Sequence, residues 1–378
     1  MIVAENLLYA LVGFVLIQVF YYLFIFTRLA FYGRGRNYES GSPGVTVLVC
    51  AWNEKENLQE LLPILDAQEY PNFEVILLDD RSDDGSEEFI RENIQSWKHI
   101  RYIRINDQFD HVTPKKYALT VGMKQAKNPI ALMTDADCRP SSLHWITTMT
   151  SQINSEKDIV LGFSPYEKRP GLLNWFVRCE TFYTAVQYLS FTLAGWTYMG
   201  VGRNILYKRD LFFENKGFYR HRKVTGGDDD IFLNEVATGN NTAICIEPES
   251  FVYSKPKTTW ATWFRQKRRH LSVSKYYRSR NKILLGLLSG SHVAVWLLGF
   301  ALLGFGLWAN DIFLLQELGV VFGVRWIIQW FLLIVINLKL DRTVEWFSFL
   351  FMDFALFIYY TFFGLFVMTR KKPRMSWN

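Results

Sequence analysis

Cysteine is scarce and unpatterned here: Cys50, Cys138, Cys179 and Cys245 stand far apart, with no CxxC and no metal-ligand spacing. A disulfide framework is therefore not expected, and the usage fits a reducing compartment. Acidic residues are absent from residues 251–310, while residues 265–282 are dense in Lys and Arg. A basic stretch next to an apolar segment points to anionic lipid head groups rather than to nucleic acid. Internal repeats and low-complexity segments are also missing, which excludes a repeat array.

What the chain has in excess is apolar surface. Half of the residues are hydrophobic and aromatics reach 17%, concentrated at the two ends. Residues 7–27 carry no charge and are followed by Arg28, Arg34 and Arg36. The run is long enough to cross a bilayer, and too long for a cleaved signal with no small-residue site after it. An N-terminal transmembrane helix is expected at 1–30. Residues 283–308, 320–338 (interrupted by Arg325) and 346–368 are each near spanning length. They predict a C-terminal membrane region at 283–368 of about three segments, after a basic interfacial segment at 273–282 and before a basic tail at 369–378. Residues 44–272 have the mixed composition of a soluble domain with a sizeable core. The positive-inside rule puts that domain in the cytoplasm, as part of an integral protein of the cell inner membrane. Three full crossings would leave Arg370, Lys371, Lys372 and Arg374 outside, against the same rule. A re-entrant or interfacial segment is the alternative.

Within 44–272, short β-branched or apolar runs at 45–50, 73–78, 100–105 and 129–133 read as buried strands. Helical spacing at 53–68, 84–97 and 114–127 alternates with them, with Pro114 in a first turn. This is an α/β pattern, a mostly parallel sheet with helices on both faces. Further strands are expected at 159–163 and 204–207, and helices at 172–193 and 228–236. Ligands bind beyond the carboxyl ends of such strands. Three of those ends carry Ala51, Trp52, Asn53 and Glu54; Asp79 and Asp80; and Asp135 and Asp137.

Carboxylates at the ends of buried strands are costly unless a cation or a hydrogen-bonding ligand meets them. In extended backbone, Asp135 and Asp137 point the same way and can address one ion. Hard divalent ions such as Mg²⁺ or Mn²⁺ take such oxygens together with substrate phosphates. Ser82 or Asp83 can cap the helix that follows them, whereas Asp80 lies too early for a cap and suits a nucleobase or ribose. Asp228, Asp229 and Asp230 open a helix after Gly226 and Gly227; three acids exceed what a cap requires, and one of them can serve as a general base. Gln266, Arg269 and His270 share a helix face, where Arg269 can neutralise a departing diphosphate.

Taken together, VTVLVCAWNEKENL, LLDDRSDDGS, Lys115-Lys116-Tyr117-Ala118-Leu119, Asp135-x-Asp137, GVGRNILY, Asp228-Asp229 and Gln266-x-x-Arg269-His270 resemble the membrane-bound glycosyltransferases of family 2. That group contains hyaluronan, chitin and cellulose synthases and ceramide glucosyltransferase. The resemblance covers about residues 44–272 and implies a GT-A, Rossmann-like nucleotide-diphospho-sugar transferase domain flanked by transmembrane helices. It implies inverting transfer from a nucleotide-sugar, such as a UDP-sugar, to a lipid, lipid-linked or polysaccharide acceptor. On it, Ala51, Asn53, Glu54, Asp80, Lys116 and Asp135 bind the nucleotide-sugar, and Asp137 holds the Mg²⁺ or Mn²⁺. Asp229 is the base with Asp228 beside it, and Gln266 and Arg269 complete the catalytic set. Gly202, Arg203, Asn204 and His270 lie on the acceptor side. His270 replaces the Trp of the processive enzymes, so polymer synthesis is not implied.

A different class of function is a non-catalytic scaffold or nucleotide-sensing component of a glycan assembly or export complex. A scaffold would lose acids from the metal and base positions, and all are present. A transporter would place charged residues within its spans, where Arg325 and Asp353 are the candidates.

Overall fold

The computed structural model describes residues 2–33, 35 and 42–369; Arg34, Arg36 and the basic tail from residue 370 lie outside the described residues. The chain divides into a helical unit, Met1–Tyr32 with Arg278–Lys371, and a sheet-bearing unit from Gly33–Tyr277. The helical unit begins with α1 (Ile2–Phe20), which runs through a wide turn at Tyr21–Phe26 into α2 (Thr27–Ala30).

The sheet-bearing unit follows as β1 (Val45–Ala51), α3 (Lys55–Asp66), β2 (Phe73–Asp80), α4 (Ser86–Asn93), β3 (Ile100–Ile105), α5 (Pro114–Gln125), β4 (Ile130–Asp135) and β5 (Cys138–Pro140). It continues with α6 (Trp145–Thr150), β6 (Ile159–Gly162), α7 (Leu172–Leu193), β7 (Ile205–Lys208), α8 (Arg209–Glu214), α9 (Asp230–Val236), β8 (Thr242–Cys245), β9 (Val252–Ser254) and α10 (Trp260–Leu271). Seven strands form one sheet in the order β3-β2-β1-β4-β7-β6-β8, and β5 pairs with β9 in a second.

Every residue of β1 and β2 is buried, as their apolar runs require with helices on both faces. The first four strands of the order run parallel. β7 is antiparallel to both β4 and β6, so the sheet is mixed. That reversal matters for the site. Met133 near the end of β4 pairs with Ile205 at the start of β7, so the segment entering β7 arrives beside the carboxyl end of β4. Helix α4 is shorter than the sequence pattern implies: Gly85, with φ +84°, starts it at Ser86, and a 3₁₀ turn follows at Ile94–Ser96.

The helical unit resumes with α11 (Ser279–Ala309), α12 (Ile312–Lys339) and α13 (Ser348–Thr369). Asn310, left-handed with φ +50°, breaks the first from the second, and the Asp311 side chain caps α12 through Leu314 N–H at 3.1 Å. Leu11, Val15, Val295, Leu302, Leu314 and Leu318 pack as one apolar cluster. Ile2–Ala30, Ser279–Ala309 and Ile312–Lys339 are long and apolar enough to cross a membrane.

Candidate active site

The parallel register brings the acidic strand ends together. Cys50, near the end of β1, pairs with Leu78 on one side and Asp135 on the other. Asp79 is fully buried and serves the fold: it accepts from Tyr102 Oη and Arg104 Nη1, both at 2.8 Å, and from Ser82 N–H at 3.1 Å. Asp80 is the acid that closes the strand, 1% exposed, with Arg81 Nε at 2.8 Å. Ala51 is buried and pairs across the sheet with Asp79.

Asn53 departs from the nucleotide-contact role expected of it. Its Nδ2 donates to Asp83 at 2.7 Å and its Oδ1 accepts Asp83 N–H at 2.9 Å. With both ends of the amide engaged, Asn53 laces the loop after β1 to the loop after β2. Glu54 accepts from Asn57 at 2.5 Å. Burial raises its carboxyl above the usual range against that hydrogen bond, and the charges of Asp137 and Asp135 add to the rise.

Ligating atoms of Asp135, Asp137 and Cys138 lie within 4.8 Å of one another. Burial, then the neighbouring Asp135 carboxylate, raises the Asp137 carboxyl. Burial also pushes the Cys138 thiol well up, and the Asp137 and Asp135 charges add to the rise. The two carboxylates of this group fit an oxygen-preferring divalent ion such as Mg²⁺ or Mn²⁺.

Lys115 joins this acidic end to the second cluster. From the first turn of α5 its ammonium reaches Asp135 at 2.9 Å and Asp228 at 3.2 Å. Burial disfavours its charge, but Asp135 and Asp228 override that and raise its pKa well above the usual value. The three consecutive acids divide their work. Burial would raise Asp228, but Lys115 and Lys116 hold it below the usual range. Asp229 accepts Gly202 N–H at 2.7 Å and Asp230 N–H at 2.8 Å, one per oxygen. Burial and then the Asp228 charge raise it. Asp230 accepts the Tyr277 hydroxyl at 2.9 Å and belongs to the packing. A Cβ on Gly202 would stand 2.9 Å from Asp229 Oδ2, so only glycine lets the backbone come this close.

Arg203 donates to Ser164 Oγ and O at 2.7 and 2.9 Å and covers the Tyr166 ring, whose hydroxyl accepts from Gln266 at 3.4 Å. Arg269 lies along Gly226, with its Cγ 3.8 Å from where a glycine Cβ would be, and His270 is exposed on α10. Two further expectations are corrected. Asn204, expected on the acceptor side, is fully buried and turned into the sheet: it accepts from Trp145 Nε1 at 3.0 Å and donates to the Phe163 and Ser250 carbonyls at 2.8 Å each. Lys116, expected at the nucleotide-sugar, is held by the carbonyls of His221 and Val224, while its neighbour Lys115 faces the acids. Because Asn204 satisfies three buried groups, Asn204→Leu is expected to cost about 2–3 kcal/mol. Thermal unfolding should show the loss while donor affinity of the folded fraction stays unchanged; an unaltered midpoint would refute it.

A mixed sheet with acids at its switch from parallel to antiparallel strands defines a GT-A fold. Residues 46–214 match the family model described as Glycosyl transferase family 2, and it is through this domain that the chain resembles that family. Glycosyltransferase AglE of Haloferax volcanii is 28% identical over 114 residues, 30% of this chain and 36% of that protein. Probable glycosyltransferase YdaM of Bacillus subtilis is 22% identical over 242 residues, 62% of this chain and 56% of that protein. The chain thus aligns with about a third to just over half of these relatives' lengths. The solved mannosyltransferase PcManGT from Pyrobaculum calidifontis, in complex with GDP-Man and Mn²⁺, has the same fold at a TM-score of 0.60 and 20% identity, over 90% of this chain and 100% of that one.

Proposed function

We propose that this chain is a membrane-anchored inverting hexosyltransferase. It moves a sugar from a nucleotide-diphospho-sugar, first of all a UDP-sugar, to a hydroxyl of a lipid, lipid-linked glycan or polysaccharide. One observation carries the reading: the Lys115 ammonium stands between Asp135 of the strand-end acids and Asp228 beside the base candidate. Donor-side and acceptor-side groups therefore share one cleft, as a single displacement needs.

Asp80, Ala51 and Glu54 border the nucleoside, and Asp135 lies by the sugar. Asp137, with Asp135, would hold Mg²⁺ or Mn²⁺; bound there, the ion supplies positive charge against the charge developing on the leaving diphosphate. Asp229 takes the proton of the acceptor hydroxyl, whose oxygen bonds to the anomeric carbon as the bond to the diphosphate breaks on the opposite face. Arg269 adds a second positive charge near the diphosphate, with Gln266 beside it in the catalytic set, and Gly202, Arg203 and His270 border the acceptor. The apolar helices anchor the chain, and Arg28 with the basic run at 265–282 favours the cytoplasmic face of the inner membrane, against lipid head groups.

The test is turnover by the detergent-solubilised chain, with UDP- and GDP-sugars screened side by side under Mn²⁺, Mg²⁺ or EDTA. One donor should be consumed, and EDTA should lower the rate roughly 10²–10³-fold, the scale of one lost electrostatic contact. If no nucleotide-sugar is bound or turned over under any ion, the reading fails.

A further inference from the structure

Lys116 touches no reacting group in the chemistry above, yet its side chain is only 1% exposed. Its ammonium donates to the carbonyls of His221 at 2.9 Å and Val224 at 2.8 Å. Just before it, the Thr113 backbone N–H donates to the Arg222 carbonyl at 2.9 Å. All three acceptors lie in the loop that runs into Asp228. That loop ends in Gly226 and Gly227, left-handed at φ +78° and +72°, a conformation open to glycine and weakly fixed by it. Its regular structure is a single 3₁₀ turn at Tyr219–His221. An ammonium buried on carbonyls is costly where Met would fill the same space, and burial brings its pKa down to about 8. Successive side chains on a helix point about 100° apart, so one turn of α5 can address the acids with Lys115 and the loop with Lys116.

We infer that Lys116 is a positioning residue for the general base: through the His221 and Val224 carbonyls it sets where the Asp228-Asp229 pair stands relative to the donor. The inference rests on the function proposed above. It makes α5 a clamp, with one lysine on the acids and the next on the chain that delivers the base.

The experiment compares full-length Lys116→Met, Lys116→Arg and Thr113→Pro proteins with the parent in detergent, using the nucleotide-sugar found active in the screen. Thr113 has φ −73°, so proline fits there and removes the N–H to Arg222. Lys116→Met should lower kcat about 10²-fold, the cost of a misplaced reacting group. Donor KM should stay within about 2-fold, because the interaction acts on the base and not on the donor. Lys116→Arg should recover most of the rate, and Thr113→Pro should show a smaller loss of the same kind. In an Asp229→Asn background Lys116→Met should cost little more, since groups acting as one unit are not additive. An unchanged kcat, an equal loss of donor affinity, or full additivity in that background would overturn the inference. Should Lys116→Met fail to fold, Thr113→Pro decides alone, and an unaltered kcat overturns it. An active Asp229→Asn protein would instead sink the base assignment, so the two failures are told apart.

Discussion

Asp229→Asn should lower sugar transfer roughly 10³-fold, within the range that a positioned general base supplies, while nucleotide-sugar binding persists. The geometry separates Asp229 from its neighbour. Lys115 and Lys116 hold Asp228 in its charged form, which makes it a poor proton acceptor. Asp229 has two backbone N–H groups and, among the described residues, no cation in hydrogen-bonding contact, and burial with the Asp228 charge raises its proton affinity. The sign follows: the active form is the carboxylate, so the rate falls as pH drops through the raised pKa. The acid limb of kcat should therefore lie above the ordinary aspartate range of about 3.9. Asparagine has one acceptor oxygen where aspartate has two, so one of the Gly202 and Asp230 N–H groups loses its partner, at about 1–2 kcal/mol. Activity must accordingly be normalised to folded protein. Turnover by folded Asp229→Asn near the parent rate would refute the assignment.

The parts of this site that could be read in the sequence are those written in local pattern. Residues 45–50, 73–78 and 129–133 announce buried strands because each is a short apolar run, and an acid ending such a run marks a ligand-facing end. The excess of three acids at Asp228, Asp229 and Asp230 was legible as more than a cap, and each has a distinct partner. What could not be read depends on pairing. Nothing local separates Lys115 from Lys116; the docking of α5 decides which ammonium meets Asp135 and which meets the loop. Gly202, Arg203 and Asn204 look alike as a loop entering a strand. Only the antiparallel placement of β7 beside β4 and β6 aims Gly202 at Asp229 and turns Asn204 inward. A usable signal for Lys115 was its place in the first helical turn after Pro114, where a side chain can reach back toward the strand ends.

The helical unit poses the same problem over a longer range, and its answer yields the largest stability effect expected. Arg325 and Asp353 are each at most 1% exposed among apolar helices. The Arg325 guanidinium grips Asp353 at both oxygens, 2.9 and 2.8 Å, and its Nε donates to Gln18 at 2.6 Å. Gln329, Trp296 and Trp326 donate to the same carboxylate at 2.8, 3.1 and 3.2 Å, and His292 Nε2 lies 2.9 Å from the Asp353 carbonyl. Four helices, α1, α11, α12 and α13, thus contribute to one buried polar cluster. Within it the Arg325 and Asp353 charges neutralise each other. Arg325→Leu or Asp353→Leu leaves a buried charge without its partner and should destabilise by about 3–5 kcal/mol. Replacing both should be milder than replacing either, because the desolvation of the pair disappears with it. Thermal unfolding of the four proteins in one detergent measures this. A single variant as stable as the parent, or a double variant losing the sum of the two, would show that the cluster does not hold the helices together.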